Sequence, residues 1–371
     1  MIGKTSDFSW RQLPWGVVLI VVALSAISVI NLQSTVIGTD SRIYITQLVW
    51  LAAGLVLMFG VALLDVRLIR QFVPIFYVGV IIALVLVLVI GKEVNGSRRW
   101  LNLGFAAFQP SELAKLAVIL SLAGWFHRVA RPDGYGLADL MPIAALLGFP
   151  MFLVLKEPDL GHTLMLLFIG GTMVIFEKLQ RRAFISIVLT ALFIAPGLWT
   201  FVLHDYQKNR VLTLLDSDGD KLRTGWHARQ ARIAVGSGGL LGKGHGGGTQ
   251  VAGGFLPENH TDFVFAHLAE EHGFLGGMTV LLLYFLLVLL ALRAAARARD
   301  RFAAGVAIGV GALIFWHVLM NIGMVLNILP VTGVTLPLMS YGGTSAVTVM
   351  CAIGLLLNIE VRRSMFQSRL S

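Results

Sequence analysis

The chain has 371 residues, 57% of them hydrophobic and 13% charged, with a mean hydropathy of +0.81. Its apolar runs are too long for globular core elements, which excludes a soluble enzyme and predicts an all-α polytopic membrane protein, one membrane domain over residues 1–371. The net charge of +9 raises nucleic acid as a partner, but 16 of the 29 cations fall in one alternating set of short loops, where topology and anionic lipid account for them, so no nucleic acid is expected.

In chain order, apolar stretches near residues 15–33, 45–64, 72–90, 111–126, 140–155, 160–176, 184–203, 266–292, 302–324 and 345–359 predict about ten spans. Several are shorter than the roughly 20 residues that cross a hydrocarbon core, so tilted or paired short helices are expected. The first run lacks a small-residue cleavage site and reads as a retained span. The loops rich in Lys and Arg carry Lys4 and Arg11, Arg67 and Arg70, Arg128 and Arg131, Lys178 to Arg182, Arg293 to Arg301, and Arg362 to Arg369. A cation beside a membrane tends to stay cytoplasmic, so both termini are expected inside. The single cysteine, Cys351, excludes an intrachain disulfide and reads as a small buried hydrophobe.

Two segments on the outer side break the charge pattern. One is 91–110, with Lys92, Arg98 and Arg99; the other is the long loop 204–262 between spans seven and eight, with seven cations from Lys208 to Lys243. Such cations suit a phosphate or diphosphate, although a solvated loop explains them equally well. Within the long loop, Gly225 to Val235 reads as an amphipathic helix. Gly236 to Gly248 is glycine-rich but lacks the phosphate-loop spacing, and reads as flexible backbone near a substrate.

Ionisable residues in or at the ends of spans are costly in lipid and are candidates for function. In Gln109-Pro-Ser-Glu-Leu-Ala-Lys115, Pro110 suits a first helical turn, and Glu112 and Lys115, three residues apart, share a face where they can pair. That pair is either functional or a device that makes insertion tolerable. Glu157-Pro-Asp159 with His162 reads first as a polar turn with a helix cap. The segment 329–345 mixes apolar residues with Pro and Gly breaks, as in a re-entrant stretch lining a cavity.

The segment Leu256 to Gly273 holds four carboxylates and three histidines. Asn259 is expected to cap a helix, with Asp262 at its third position. At about 100° per residue, Asp262 then shares a face with Ala266, Ala269 and Gly273, while His267 and Glu271 point largely away. An unbroken helix to Leu292 would be about 45 Å long, more than the membrane core, so a bend is expected at Gly273, Gly276 or Gly277, with Asp262 at or above the outer interface.

These residues resemble the SEDS family (shape, elongation, division, sporulation), and within it the elongation branch more than the division paralogue. The resemblance is carried by Arg98 to Gly104, Phe108 to Lys115, Glu157 to Gly161, His204 to Gln207, Gly236 to Gly239, Leu256 to Phe263 and Ser340 to Gly343, in that order. It implies a ten-span peptidoglycan glycosyltransferase that polymerises lipid II, with the growing glycan strand, outside the bacterial cytoplasmic membrane during elongation and rod-shape maintenance. Its implied partners are a class B penicillin-binding protein acting as transpeptidase, and other elongation-complex membrane proteins. The family's essential aspartate matches Asp262, and its acid and lysine pair matches Glu112 and Lys115. Asp262 is then a general base or a ligand of a divalent cation, Mg2+ or Mn2+, with no organic cofactor expected. Arg98, Lys115, Arg210 or Lys243 is the candidate for stabilising diphosphate charge, Ser340 for binding substrate or diphosphate, and Glu112 for orienting Lys115. The chain departs from the family pattern at His267, Asn327 and Thr335. A lipid II flippase and a non-catalytic scaffold are the competing readings; against the flippase, few candidates beyond Lys115 and His162 lie near mid-membrane.

Overall fold

The structure, a computed structural model, describes residues 13–37, 41–94, 97–102, 104, 107–202, 208, 212, 224–256 and 258–367. Long apolar helices follow one another: α1 (Trp15–Thr35), α2 (Ile43–Leu63), α3 (Val66–Ile90), α4 (Pro110–Arg128), α5 (Leu137–Lys156), α6 (Leu160–Phe176) and α7 (Arg181–Gly197), the last continued by a π-helical turn. Within the long loop lie α8 (Thr224–Ser237) and the single turn α9 (Thr249–Ala252), and after it come α10 (Val264–Ala296), α11 (Arg301–Val325) and α12 (Gly343–Gln367). The expected amphipathic helix at 225–235 is α8. Among the described residues, eight helices are long and apolar enough to cross a membrane; α6, at 17 residues, is a shorter apolar helix.

Sequence chemistry sets several helix starts. Asp65, Asp159 and Asp300 each accept a hydrogen bond from a backbone N–H of the first turn of α3, α6 and α11, satisfying a donor that no helical carbonyl can reach. Pro110 begins α4, where its missing N–H costs nothing.

Packing decides where charge is tolerated. Helix α4 is buried almost all round, from Pro110 to Phe126, against α3, α6 and α11. Gly309 of α11 lets Ile119 of α4 and Met173 of α6 approach closely, since a Cβ there would lie 2.5 Å from the Ile119 side chain. Glu112 and Lys115 therefore sit inside protein rather than against lipid. By contrast, α3, α5 and α7 turn large apolar side chains outward, including Ile75, Phe149 and Phe193, as a lipid-facing surface requires.

The segment 91–110 departs from the all-helical expectation. It folds as a small antiparallel sheet, β1 (Lys92–Val94), β2 (Ser97–Asn102) and β3 (Ala107–Phe108), in that order, with Lys92 opposite Trp100 and Leu101 opposite Phe108. Its strands are too short to give a legible alternation.

Candidate active site

Asp262 stands in a run of turns just before α10, not at the third position of a helix. Glu258 takes a left-handed conformation, φ +56°, and its carbonyl accepts from the N–H groups of Thr261, Asp262 and Phe263. The expected Asn259 cap is therefore replaced by a backbone cap; the Asn259 Oδ1 instead faces His260 Nδ1 at 3.2 Å. Helix α10 starts at Val264 with Phe263 as its N-cap.

Side chains from three other helices and one irregular segment fix this turn. Asn321 of α11 donates from Nδ2 to the Asp262 carbonyl at 3.0 Å and to the Val334 carbonyl at 2.8 Å. Asn31 of α1 donates to the Val264 carbonyl at 3.2 Å. The Ser340 hydroxyl donates to the Thr261 carbonyl and accepts from Leu336 N–H at 2.8 Å. Ser340 is in turn held by Gln47 of α2, which donates to its carbonyl at 3.1 Å. The Ser340 hydroxyl, expected from sequence as a substrate contact, thus bonds the backbone beside Asp262.

The half-buried Asp262 carboxylate faces Gly333, where φ is +69° and an added Cβ would lie 3.4 Å from Asp262 Oδ2. Segment 330–336 has no regular structure, as its Pro and Gly pattern predicts, and three of its carbonyls meet α6 or α11. The Thr332 carbonyl packs on Gly161 of α6, where an added Cβ would come within 2.5 Å. The Val334 carbonyl takes the Asn321 amide, and the Thr335 carbonyl faces His317 Nδ1 at 3.0 Å.

From His317 a ladder of buried ionisable groups runs through the bundle. His317 Nε2 lies 2.9 Å from Lys115 Nζ, and Lys115 Nζ lies 2.9 Å from Glu112 Oε2. Glu112 Oε1 lies 2.8 Å from His162 Nε2, whose Nδ1 lies 3.0 Å from Asp159 Oδ2. Arg99 closes the ladder, 3.6 Å from Asp159 and donating to the Glu157 and Pro158 carbonyls. A lysine ammonium only donates, so Nε2 of His317 accepts and its Nδ1 carries the proton donated to Thr335. Both nitrogens of His162 face carboxylate oxygens, as a doubly protonated imidazolium between two carboxylates would.

The turn Glu157-Pro-Asp159 caps α6, as sequence suggested, and also joins this ladder. Burial opposes ionisation of Asp159, but His162 and Arg99 outweigh it and hold the carboxyl below its usual range. Glu157 is equally buried, and neither carboxyl oxygen has a hydrogen-bond partner among the described residues. Burial, with the Asp159 charge adding to it, pushes its pKa up to about 8.

A second buried cluster lies at the bend of α10, which falls at Gly273, φ +64° and ψ −164°. The backbone groups freed there bond to the glycine-rich loop. The Glu270 and Glu271 carbonyls accept from Lys243 and Gly244 N–H at 3.0 Å each, and Phe274 and Leu275 N–H donate to the Gly239 and Leu240 carbonyls at 2.8 and 3.2 Å. The loop is therefore pinned backbone that completes a broken helix, where composition led to an expectation of flexible backbone near a substrate. Side chains reinforce it: Glu270 accepts from Lys243 Nζ at 2.6 Å and from Thr249 N–H at 2.9 Å, and Glu271 accepts from Gly246 N–H at 2.9 Å. His267 is buried beside Glu271 at 3.6 Å. His267 and Glu271 are both buried, against the glycine-rich loop at Gly248 and Gly246.

Of the expected diphosphate ligands, Lys243 is thus committed to Glu270, which makes it a structural cation. Arg98 is exposed on β2 and lies 3.6 Å from Glu93. Arg210, like His204 to Gln207, lies outside the described residues. Sequence reasoning missed His317 and Asn321, and it placed Arg99 among the cations of 91–110 without its bonds to Asp159 and the Glu157 turn. A lone histidine and a lone asparagine four residues apart in an apolar helix were the available signal, because that spacing puts both on one face. Among the departures, Asn327 takes φ +58°, a conformation that asparagine tolerates better than other residues with side chains, and the Thr335 hydroxyl bonds Ser345 Oγ at 2.9 Å. No group of three or more His, Cys, Asp or Glu side chains able to hold a metal occurs among the described residues. A divalent cation at Asp262 would share its ligands with a substrate diphosphate, an arrangement Mg2+ commonly takes.

Comparison with known proteins gives the site a context. A family model for FtsW/RodA/SpoVE, described as cell cycle protein, matches residues 11–365. The chain is 41% identical over 348 residues to the peptidoglycan glycosyltransferase MrdB of Escherichia coli K12, covering 94% of this chain and 93% of that protein. A chain in a solved structure concerned with structural coordination of polymerization and crosslinking by a peptidoglycan synthase complex superposes with a TM-score of 0.84 at 33% identity, covering 95% of this chain and 99% of that one. The crystal structure of the rod shape determining protein RodA of Thermus thermophilus gives a TM-score of 0.71 at 31% identity, covering 95% and 98%.

Proposed function

We propose a function from one premise: the chain belongs to the FtsW/RodA/SpoVE family of cell cycle proteins. It is a membrane-embedded peptidoglycan glycosyltransferase that polymerises lipid II into glycan strands on the outer side of the bacterial cytoplasmic membrane, during elongation. The observation that carries this reading is the half-buried Asp262 carboxylate, whose own backbone is held by Asn321 and whose flanks are held by Ser340 and Asn31. The position of the carboxylate beside Gly333 is thus set through bonds to the backbone around it.

Growing a β-linked glycan from an α-linked sugar diphosphate is an inverting displacement. The acceptor hydroxyl loses a proton as it attacks the anomeric carbon, and the polyprenyl diphosphate departs with the bonding pair. Asp262 takes that proton, a single carboxylate being sufficient for the base. Electropositive groups offset charge developing on the diphosphate, a task for which the exposed Arg98 is suited by its bidentate geometry. A divalent cation, where bound with the diphosphate, would neutralise part of the same charge. Lys115 is fully buried between Glu112 and His317, so its effect on the reaction is electrostatic and positional rather than by contact. The likeness to a chain of a synthase complex that coordinates polymerization with crosslinking supports a class B penicillin-binding protein as partner.

The test is direct. Purified protein given lipid II and Mg2+ or Mn2+, with and without the transpeptidase, should yield glycan chains, and Asp262→Ala should abolish them while leaving the protein folded. Translocation of lipid II without polymer from the unaltered protein would replace this reading with a flippase.

A further inference from the structure

The ion ladder and the Asp262 turn come from different helices and would be independent features if nothing connected them. One side chain does. His317 is fully buried in α11, with one ring nitrogen on Lys115 Nζ at 2.9 Å and the other on the Thr335 carbonyl at 3.0 Å. Asn321, one turn further along the same helix face, holds the next carbonyl, Val334, and with the same amide the carbonyl of Asp262 itself. Two side chains of one helix thus grip consecutive carbonyls of the segment whose Gly333 lies against the Asp262 carboxylate.

The two grips differ in what they respond to. Asn321 bonds only to backbone, so it fixes distances and nothing else. His317 can donate to Thr335 only in the tautomer that leaves Nε2 free to accept from Lys115, and a lysine ammonium facing Nε2 selects that tautomer. Lys115, donating to Nε2, therefore reinforces the tautomer that holds segment 333–335, and Lys115 is kept in place by Glu112. Burial of all three groups makes each bond strong and an unmade one costly.

We infer that His317 is a positioning residue for glycan transfer, linking the Glu112 and Lys115 pair to the Gly333 segment that sets the Asp262 carboxylate. This rests on the polymerase reading of the same site. It gives a pair buried in the bundle a route to a reaction it does not touch: loss of the pair frees the imidazole to turn, and the segment beside the carboxylate loses one of its two clamps.

Three replacements separate the bonds. His317→Phe removes both and keeps the ring volume. His317→Asn places an amide N–H where Nδ1 stands, keeping the bond to Thr335 and losing Lys115. His317→Gln brings an amide oxygen toward the place of Nε2, keeping Lys115 and losing Thr335. Polymerisation of lipid II by each purified, folded variant should show kcat reduced about tenfold or more for His317→Phe and His317→Gln, with KM for lipid II within about twofold, since His317 touches no substrate. His317→Asn should recover most of the kcat, because it keeps the grip on the segment. A merely structural histidine would lower Tm and leave kcat of the folded protein unchanged.

A kcat at the unaltered level in folded His317→Phe overturns the inference. If that variant does not fold, equal kcat for the Asn and Gln variants overturns it. A change confined to KM also overturns it, by making His317 a binding residue. If the unaltered protein makes no polymer, the polymerase reading fails instead, and the two failures are distinct.

Discussion

Replacing Lys115 with methionine removes one charge from the most deeply buried ion pair in the bundle while nearly preserving side-chain volume. The ammonium and the Glu112 carboxylate lie 2.9 Å apart, both essentially without solvent contact. At an effective dielectric of about 20, two unit charges at that distance attract by about 6 kcal/mol, which offsets the cost of taking both out of water. With the lysine gone, the desolvation of Glu112 remains and only His162 compensates it. Removing one partner of a buried pair costs about 3–5 kcal/mol, on the order of 5–15 °C in Tm. Thermal unfolding in detergent, followed by intrinsic fluorescence, measures this. The double variant Glu112→Gln with Lys115→Met removes the stranded charge as well, and should be more stable than Lys115→Met alone. Equal stability of Lys115→Met and the unaltered protein, or a double variant less stable than the single one, would refute the reasoning.

Other consequences follow from particular atoms. Gly273→Ala should cost at least about 1–3 kcal/mol, because its backbone conformation is one that only glycine adopts readily and an added Cβ would lie 2.3 Å from Gly242 N; a Tm unchanged from the unaltered protein would contradict this. Glu157 holds its proton in the fold up to about pH 8, well above its ordinary value near 4.5, so its contribution to stability is full below that value and lost as pH rises through 8. The stability of Glu157→Gln should accordingly be flatter between pH 5 and 9 than that of the unaltered protein, as read from Tm against pH; parallel curves would contradict the burial argument. Glu270→Gln removes a charged acceptor from Lys243, Thr249 and Gln250, and amide hydrogen exchange over Lys243 to Gln250 should accelerate while α11 stays protected.

The helical spans were legible because each is a long apolar run, and the bend of α10 because an unbroken helix would overshoot the membrane. The Glu112 and Lys115 pair was legible from helical spacing alone. What sequence could not carry is contact between distant segments. Lys243 reads as a free cation until Glu270, 27 residues on, is seen to face it, and the glycine-rich loop reads as flexible until the broken turn at Gly273 supplies its hydrogen-bond partners. His317 gives no signal beyond being polar in an apolar helix, since its two partners lie 202 and 18 residues away. The Asn259 cap failed for a local reason: Glu258 turns left-handed and its carbonyl satisfies the donors a side-chain cap would have taken. The sheet at 92–108 escaped because strands of two, three and six residues offer too little pattern.

The central claim is that the Asp262 carboxylate, and not the fold around it, performs the transfer. Asp262→Asn keeps the volume and leaves the backbone carbonyl for Asn321 to hold, so the turn should stand while the base is lost. Glycan chain formation from lipid II, resolved by gel for this variant and the unaltered protein at equal folded concentration, is the measurement. The account predicts polymer from the unaltered protein and none above background from Asp262→Asn at an unchanged Tm; polymer from Asp262→Asn at a comparable rate would contradict it.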